Sequence, residues 1–170
     1  MNNDLKKIQK RIKINFLNIE LLNRSLIHKS SNKKYNNEKL EFLGDRVIGL
    51  AISKKLILMY PDEKEGIIDK RFANLVNKKT CAKVAKKLNI KKFIKTGNSY
   101  QNSQSSDEKI LSDTCEALVA SIYLDQGFFT AEKFILNSWK SFIMSSQVIK
   151  IDPKTKLQEF SLKKYKKLPV

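Results

Sequence analysis

Histidine is almost missing from this chain: of 170 residues, only His28 can supply an imidazole. A two-histidine acid–base pair and a multi-histidine zinc site within one chain are therefore excluded. Cysteine is nearly as scarce. Cys81 and Cys115 have neither zinc-type spacing nor the density of a disulfide framework, and reduced thiols in cytoplasm are the expectation. No apolar run approaches the ~18–20 residues that span a bilayer. The opening "MNNDLKKIQKRIKINF" is basic, but it lacks an uninterrupted apolar core and a small-residue cleavage site, so it does not read as a secretory signal. Neither a G-x-S-x-G nucleophile elbow nor a Walker-type glycine loop occurs.

Acids are also few, and their scarcity sets the field of the molecule. Lysine and arginine outnumber aspartate and glutamate by 34 − 17 = 17. A surface that positive attracts polyanions, and nucleic acid is the commonest of them. Lysine supplies 30 of the 34 cations; lysine-rich codon usage explains part of the excess without changing its sign. Hydrophobic residues at 41% suffice for one domain with a real core.

The apolar spacing is helical wherever it is regular. "NIELLNRSLIHKS" brings Ile19, Leu22, Leu26 and Ile27 near one another on a helical surface. A long helix is expected from about Glu38 to Met59, stopped by Pro61. "IIDKRFANLVN" and "KTCAKVAKKLNI" read as shorter amphipathic helices, and "KKFIKTGNSYQNSQSSDE" as a polar loop. "KILSDTCEALVASIYLDQG" is a strongly apolar helix closed by Gly127 as a C-cap. "FTAEKFILNSWKSFIMSS" is a further helix, with Trp139 in the core. No convincing period-2 run and no internal repeat is present, so the expected class is all-α. Residues 1–149 read as one domain. After "VIKIDPKT" a new pattern starts and stops, as though the chain were cut just as another domain begins at 150–170.

The few acids cluster where they should be least welcome. Glu38, Glu41 and Asp45 stand at i, i+3 and i+7 of the long helix and share a face. Leu40, Leu43, Val47 and Leu50 are expected to form its buried side. Asp113 and Glu116, at i and i+3, share a face of the second apolar helix. One reading makes these acids surface residues or caps, Glu38 and Asp113 favouring helix N-termini. The other makes them ligands of a hard divalent cation, since partly buried carboxylates need compensation and Mg²⁺ takes a few of them plus waters and substrate phosphate. Gly44 and Gly49 each weaken the long helix by about 1 kcal/mol relative to alanine. Close approach of another helix backbone would offset that, and beside Asp45 it would bring the second acidic pair near. Carboxylate-held metal makes phosphodiester hydrolysis available. His28 reads as a packed or hydrogen-bonding residue rather than a catalyst.

"EKLEFLGD" with "SDTCEALVASIYLD" closely resembles the two signature stretches of bacterial ribonuclease III, the double-strand-specific endoribonuclease. "LNRSLIHKS" is similar to the family's segment before the first signature, and "DPKTKLQEF" to its join into a double-stranded-RNA-binding domain. The resemblance spans residues from about 5 to 170, in the family's order. It implies the family's helical endonuclease fold, a homodimer whose two sites cut opposite strands, and products with 5′-phosphates and short 3′ overhangs. It further implies that Glu41, Asp45, Asp113 and Glu116 hold Mg²⁺ (with Mn²⁺ as a substitute), Asp45 and Glu116 being the pair named as catalytic. By the same resemblance Glu38 and Glu65 are supporting acids, Phe42 packs across the dimer interface, and Gln158 contacts the RNA minor groove. Arg46, Asn74 and Ser121 depart from the small residues common at their positions, which touches local packing rather than a proposed ligand.

Three functions are thus in play. A Mg²⁺-dependent endoribonuclease acting on double-stranded RNA during RNA processing, ribosomal precursors included, takes all four acids into account. A catalytically inactive RNA-binding relative would keep the fold and lose those acids. A membrane-surface protein would need a helix pairing a clean lysine face with an exposed apolar one, and none is found.

Overall fold

Leu5, Ile8 and Ile12 stand at i, i+3 and i+7 and turn one face of the first helix inward, where all three are buried. This helix, α1 (Asn2–Ile12), opens a computed structural model that describes residues 2–31, 33–97, 104–146 and 153–167. Six further helices follow: α2 (Ile19–Ser25), α3 (Glu38–Met59), α4 (Glu65–Val76), α5 (Lys78–Lys87), α6 (Gln104–Ser145) and α7 (Pro153–Tyr165). Among the described residues the only extended pairing is an isolated parallel bridge between Ile27 and Lys95, so the fold is all-α as expected. No helix among them is long and apolar enough to cross a membrane.

The centre of the domain is the pairing of α3 with α6, flanked by α5 and α2 on α6 and by α4 on α3. Every residue from Ile110 to Ile122 of α6 is buried, polar ones included. A helix enclosed on all sides in this way is a core element. Trp139, fully buried further along α6, donates its indole N–H to the Leu75 carbonyl at 2.9 Å.

Several sequence expectations shift. The α3 limits fall where Pro61 and the apolar run place them. Its buried face is Leu40, Gly44, Val47, Ile48, Ala51, Ile52 and Leu56. Leu50, expected among them, is 58% exposed; ten residues past Leu40, helical rotation has carried it to the outer side. The helix expected through "NIELLNRSLIHKS" ends at Ser25, because Leu26 and Lys95 exchange the chain into the bridge: Lys95 N–H donates to the Leu26 carbonyl, and His28 N–H to that of Lys95. α6 begins at Gln104, within the expected polar loop. Gly127 does interrupt the helix, at φ 80° and ψ 176°, but a second helical stretch continues directly from it.

Candidate active site

Two helices carry the acids, and a glycine sets how near they lie. A β-carbon built on Gly44 would stand 1.8 Å from the carbonyl oxygen of Glu116 and 2.4 Å from its carbonyl carbon. Backbone therefore meets backbone at this crossing, one residue from Asp45, and only glycine permits it. Gly49 differs: a β-carbon there would meet only the Phe72 ring, at 3.6 Å, so no helix backbone crowds it.

Asp113, with its side chain 1% exposed, is the deepest of the acids. It sits well inside α6, not at its N-terminus, so the capping reading does not hold for it. His28 Nδ1 faces the Ser30 N–H at 3.2 Å and Ser30 Oγ at 2.9 Å, and Nε2 faces Asp113 Oδ2 at 3.4 Å. Lys29 Nζ lies 3.3 Å from the same oxygen and 2.8 Å from Glu41 Oε2. Burial opposes the Asp113 charge, yet the His28 hydrogen bond and the Lys29 ammonium outweigh it and hold the carboxyl below its ordinary value. Burial likewise opposes the Lys29 charge, and the hydrogen bond to Glu41 with the charges of Asp113 and Glu41 overcomes it and raises its pKa.

Glu116 is the opposite case. Burial pushes its carboxyl up to about 7, against the hydrogen bond that Ser112 Oγ donates to Oε1 at 3.0 Å, and the charges of Asp113, Asp45 and Glu41 push the same way. The four acids thus share one electrostatic neighbourhood. Asp45 is the most open of them, with Oδ2 2.6 Å from Arg46 Nη1, and the Arg46 guanidinium lies 4.2 Å from the centre of the Phe42 ring. Arg46 therefore engages a candidate ligand directly, rather than affecting packing alone. The buried thiol of Cys81 is also pushed up, by burial first and then by Glu116 and Asp45.

The other expected residues fall outside this group. Glu38 is exposed at the first position of α3, where an acid suits the helix dipole. Glu65 opens α4 and is exposed; the carboxylates acting on Glu116 do not include it. Gln158 is half-buried on α7. Asn74 lends its carbonyl to Thr80 and Asn77 at the α4–α5 junction, and buried Ser121 donates back to the Leu118 carbonyl. Lys29 is the participant that sequence reasoning missed: one lysine among 30 carries no signal of its own.

The donor set suits a hard divalent cation. Asp113 Oδ1 is buried without a hydrogen-bond partner, and Glu116, its pKa raised by burial and then by three neighbouring carboxylates, gains from added positive charge. Among the described residues no three His, Cys, Asp or Glu side chains form a ready-made cage. Mg²⁺ needs none, since it keeps several waters and takes one or two carboxylates.

Known proteins share this arrangement of helices. A family model described as Ribonuclease-III-like matches residues 18–142. Ribonuclease 3 of Pelagibacter ubique is 50% identical over 164 residues, covering 96% of this chain and 74% of that protein. Ribonuclease 3 of Methylocella silvestris is 34% identical over 160 residues, 93% of this chain and 68% of the relative. Among solved structures, the nuclease domain of ribonuclease III from Campylobacter jejuni superposes with a TM-score of 0.76 at 36% identity, covering 81% of this chain and 96% of that one. This chain belongs to the ribonuclease III family and is an endonuclease of that type.

Proposed function

We propose that this endonuclease cleaves double-stranded RNA in a reaction that depends on Mg²⁺, with Mn²⁺ able to replace it, and leaves 5′-phosphates and short 3′ overhangs. The observation that carries this reading is the Gly44–Glu116 backbone contact, which serves to draw Glu41 and Asp45 of α3 toward Asp113 and Glu116 of α6. A divalent cation held there would lower the pKa of an attacking water and place positive charge against the phosphodiester. The chain's own residues do the rest. His28 fixes the orientation of Asp113, Ser112 fixes that of Glu116, and the buried flank of α6 keeps bulk water from their inner side.

The net charge of +17 suits a phosphate backbone read by shape. A groove lined by Arg11, Lys13, Lys87 and Lys133 extends that positive surface. The homodimer belongs to the same reading. Phe42, Leu50 and Ile57 are 65%, 58% and 58% exposed along one side of α3, and the Campylobacter structure is described as having a region involved in dimer formation. Glu38 and Glu65 would then act in support at the RNA. Residues 1–149 are the catalytic domain, and 150–170 begin an RNA-binding domain in which Gln158 would meet the minor groove. Buried, free Cys81 and Cys115 accord with a reducing cytoplasm and RNA-processing work there.

The test is cleavage of a long RNA duplex by wild type and Glu116→Ala, with Mg²⁺ or with EDTA. Metal-dependent cutting, abolished by the substitution while duplex binding persists, is the expected result. Duplex binding without cutting by the wild type at low salt and excess metal would instead favour an inactive RNA-binding relative.

A further inference from the structure

We propose that Lys29 is the internal counter-ion of this site: its ammonium offsets part of the charge of Glu41 and Asp113 while the metal is off, must leave them when the metal binds, and so sets how tightly the metal is held. The proposal rests on the reading of the acids as a metal site. Its own ground is geometric. Lys29 Nζ is within 3.3 Å of carboxylate oxygens from two different helices, on two of the acids that would hold a cation between α3 and α6. A divalent ion and an ammonium compete for the same lone pairs, and each repels the other at this range.

Between Lys29 and Asp113, the lysine is the one that can give way. Asp113 is enclosed in the centre of α6 with its other partner, His28, on the same oxygen. The backbone that carries Lys29 is pinned as well. Its N–H donates to Asn37 Oδ1 at 3.1 Å, His28 N–H to the Lys95 carbonyl at 2.9 Å, and Ser31 N–H to the His28 carbonyl at 2.9 Å. Gly97 closes the same turn, for a β-carbon on it would stand 2.0 Å from the Ser30 carbonyl oxygen. The lysine side chain, by contrast, is 29% exposed and has a flexible four-carbon stem with an open way to solvent. Segment 28–31 therefore presents a hinged charge from a rigid mount.

The consequence is a trade between two properties. With Lys29 present the charge of the metal-free site is partly offset, and the metal must displace an ion pair to enter. With the charge removed the metal-free site is left with uncompensated acids, and the metal enters unopposed.

The experiment is Mn²⁺ titration of the EDTA-stripped full chain without RNA, followed by calorimetry and by the electron paramagnetic resonance of free Mn²⁺. Wild type is compared with Lys29→Gln, Lys29→Arg and Asp113→Asn, and each metal-free melting temperature is recorded. Lys29→Gln, which keeps a hydrogen-bond donor without the charge, is expected to bind Mn²⁺ about tenfold tighter. Its metal-free form should melt lower, with the deficit closed by Mn²⁺. Lys29→Arg, which keeps the charge, should bind within about threefold of wild type. Unchanged or weaker Mn²⁺ binding by Lys29→Gln, with Asp113→Asn still abolishing it, would overturn the counter-ion role and leave the metal site standing. Binding in wild type that is indifferent to Asp113→Asn would overturn the metal-site reading itself, and the role of Lys29 with it.

Discussion

Gly44 and Glu116 touch backbone to backbone: the missing side chain of one is the space occupied by the carbonyl of the other. Helix axes that close exchange a small loss of helix propensity for the juxtaposition of acids on either side of the crossing. Gly44→Ala is expected to push α3 off α6, because the atom it meets is backbone and cannot rotate away. Overpacking typically costs about 1–3 kcal/mol, and more where the neighbour cannot yield; here it is read as a fall in melting temperature with cleavage lost. Gly49→Ala, which meets only the Phe72 ring at ordinary contact distance, should stabilise the protein by roughly 0.5–1 kcal/mol through helix propensity alone. Equal effects at the two positions would show that close approach is not what Gly44 provides.

What was legible in the sequence divides along physical lines. The limits of α3 could be read because Pro61 and a continuous apolar run define them locally. The acid clusters could be read because an acid within a buried run demands a reason. Gly44 was legible for the same cause, whereas Gly49 carried an identical signal with a different meaning, since a glycine does not declare whether a backbone or a ring lies opposite. Leu50 was misplaced because a long helix offers two apolar stripes, one toward the core and one bearing Phe42 and Ile57 outward. Lys29 was invisible, as its role depends on a tertiary meeting with Glu41 and Asp113 that no spacing encodes. The end of α2 at Ser25 follows from a bridge to Lys95, equally non-local.

Gly127 isolates backbone conformation from crowding. Its φ of 80° with ψ 176° lies in a region reserved almost wholly for glycine, yet a β-carbon there would meet nothing within 4 Å. Gly127→Ala should therefore destabilise by about 1–3 kcal/mol with no local rearrangement of side chains and with cleavage retained. Denaturant unfolding measures this, and a neutral result would mean that the break in α6 relaxes freely.

Phe42 lies on the surface of a single protomer but beside Asp45, through the Arg46 guanidinium that stacks on its ring and pairs with that acid. Phe42→Ala should leave the protomer's stability within about 0.5 kcal/mol, as exposed substitutions do. In the dimer it should raise the dissociation constant at least tenfold, if the ring is a buried anchor there. Sedimentation velocity across a concentration series distinguishes the two. A protein that stays monomeric at high concentration before and after the change would remove the dimer from the proposed function.

Glu116 makes the metal-free protein respond to pH in an unusual direction. Its folded-state pKa is raised, to about 7 from an ordinary 4.5, so the folded form binds the proton more tightly than the unfolded chain does. The stability it contributes is complete below pH 4.5 and is lost as pH rises through 7, an effect of up to roughly 3 kcal/mol. Asp113 works the other way: with its pKa lowered, its contribution is lost only in acid, below the range where Glu116 titrates. Between pH 5 and 8 the EDTA-stripped wild type should thus lose stability relative to Glu116→Gln, which stays neutral throughout. Comparison of the two proteins at each pH cancels the titration of groups that do not interact with Glu116. Added Mg²⁺ or Mn²⁺ should reverse the trend for the wild type alone, because a cation binds the ionised carboxylate and replaces the proton's compensation with its own. Parallel stability curves for the two proteins across this range would mean that Glu116 is already ionised in the folded state, and that the compensation comes from the chain rather than from a metal.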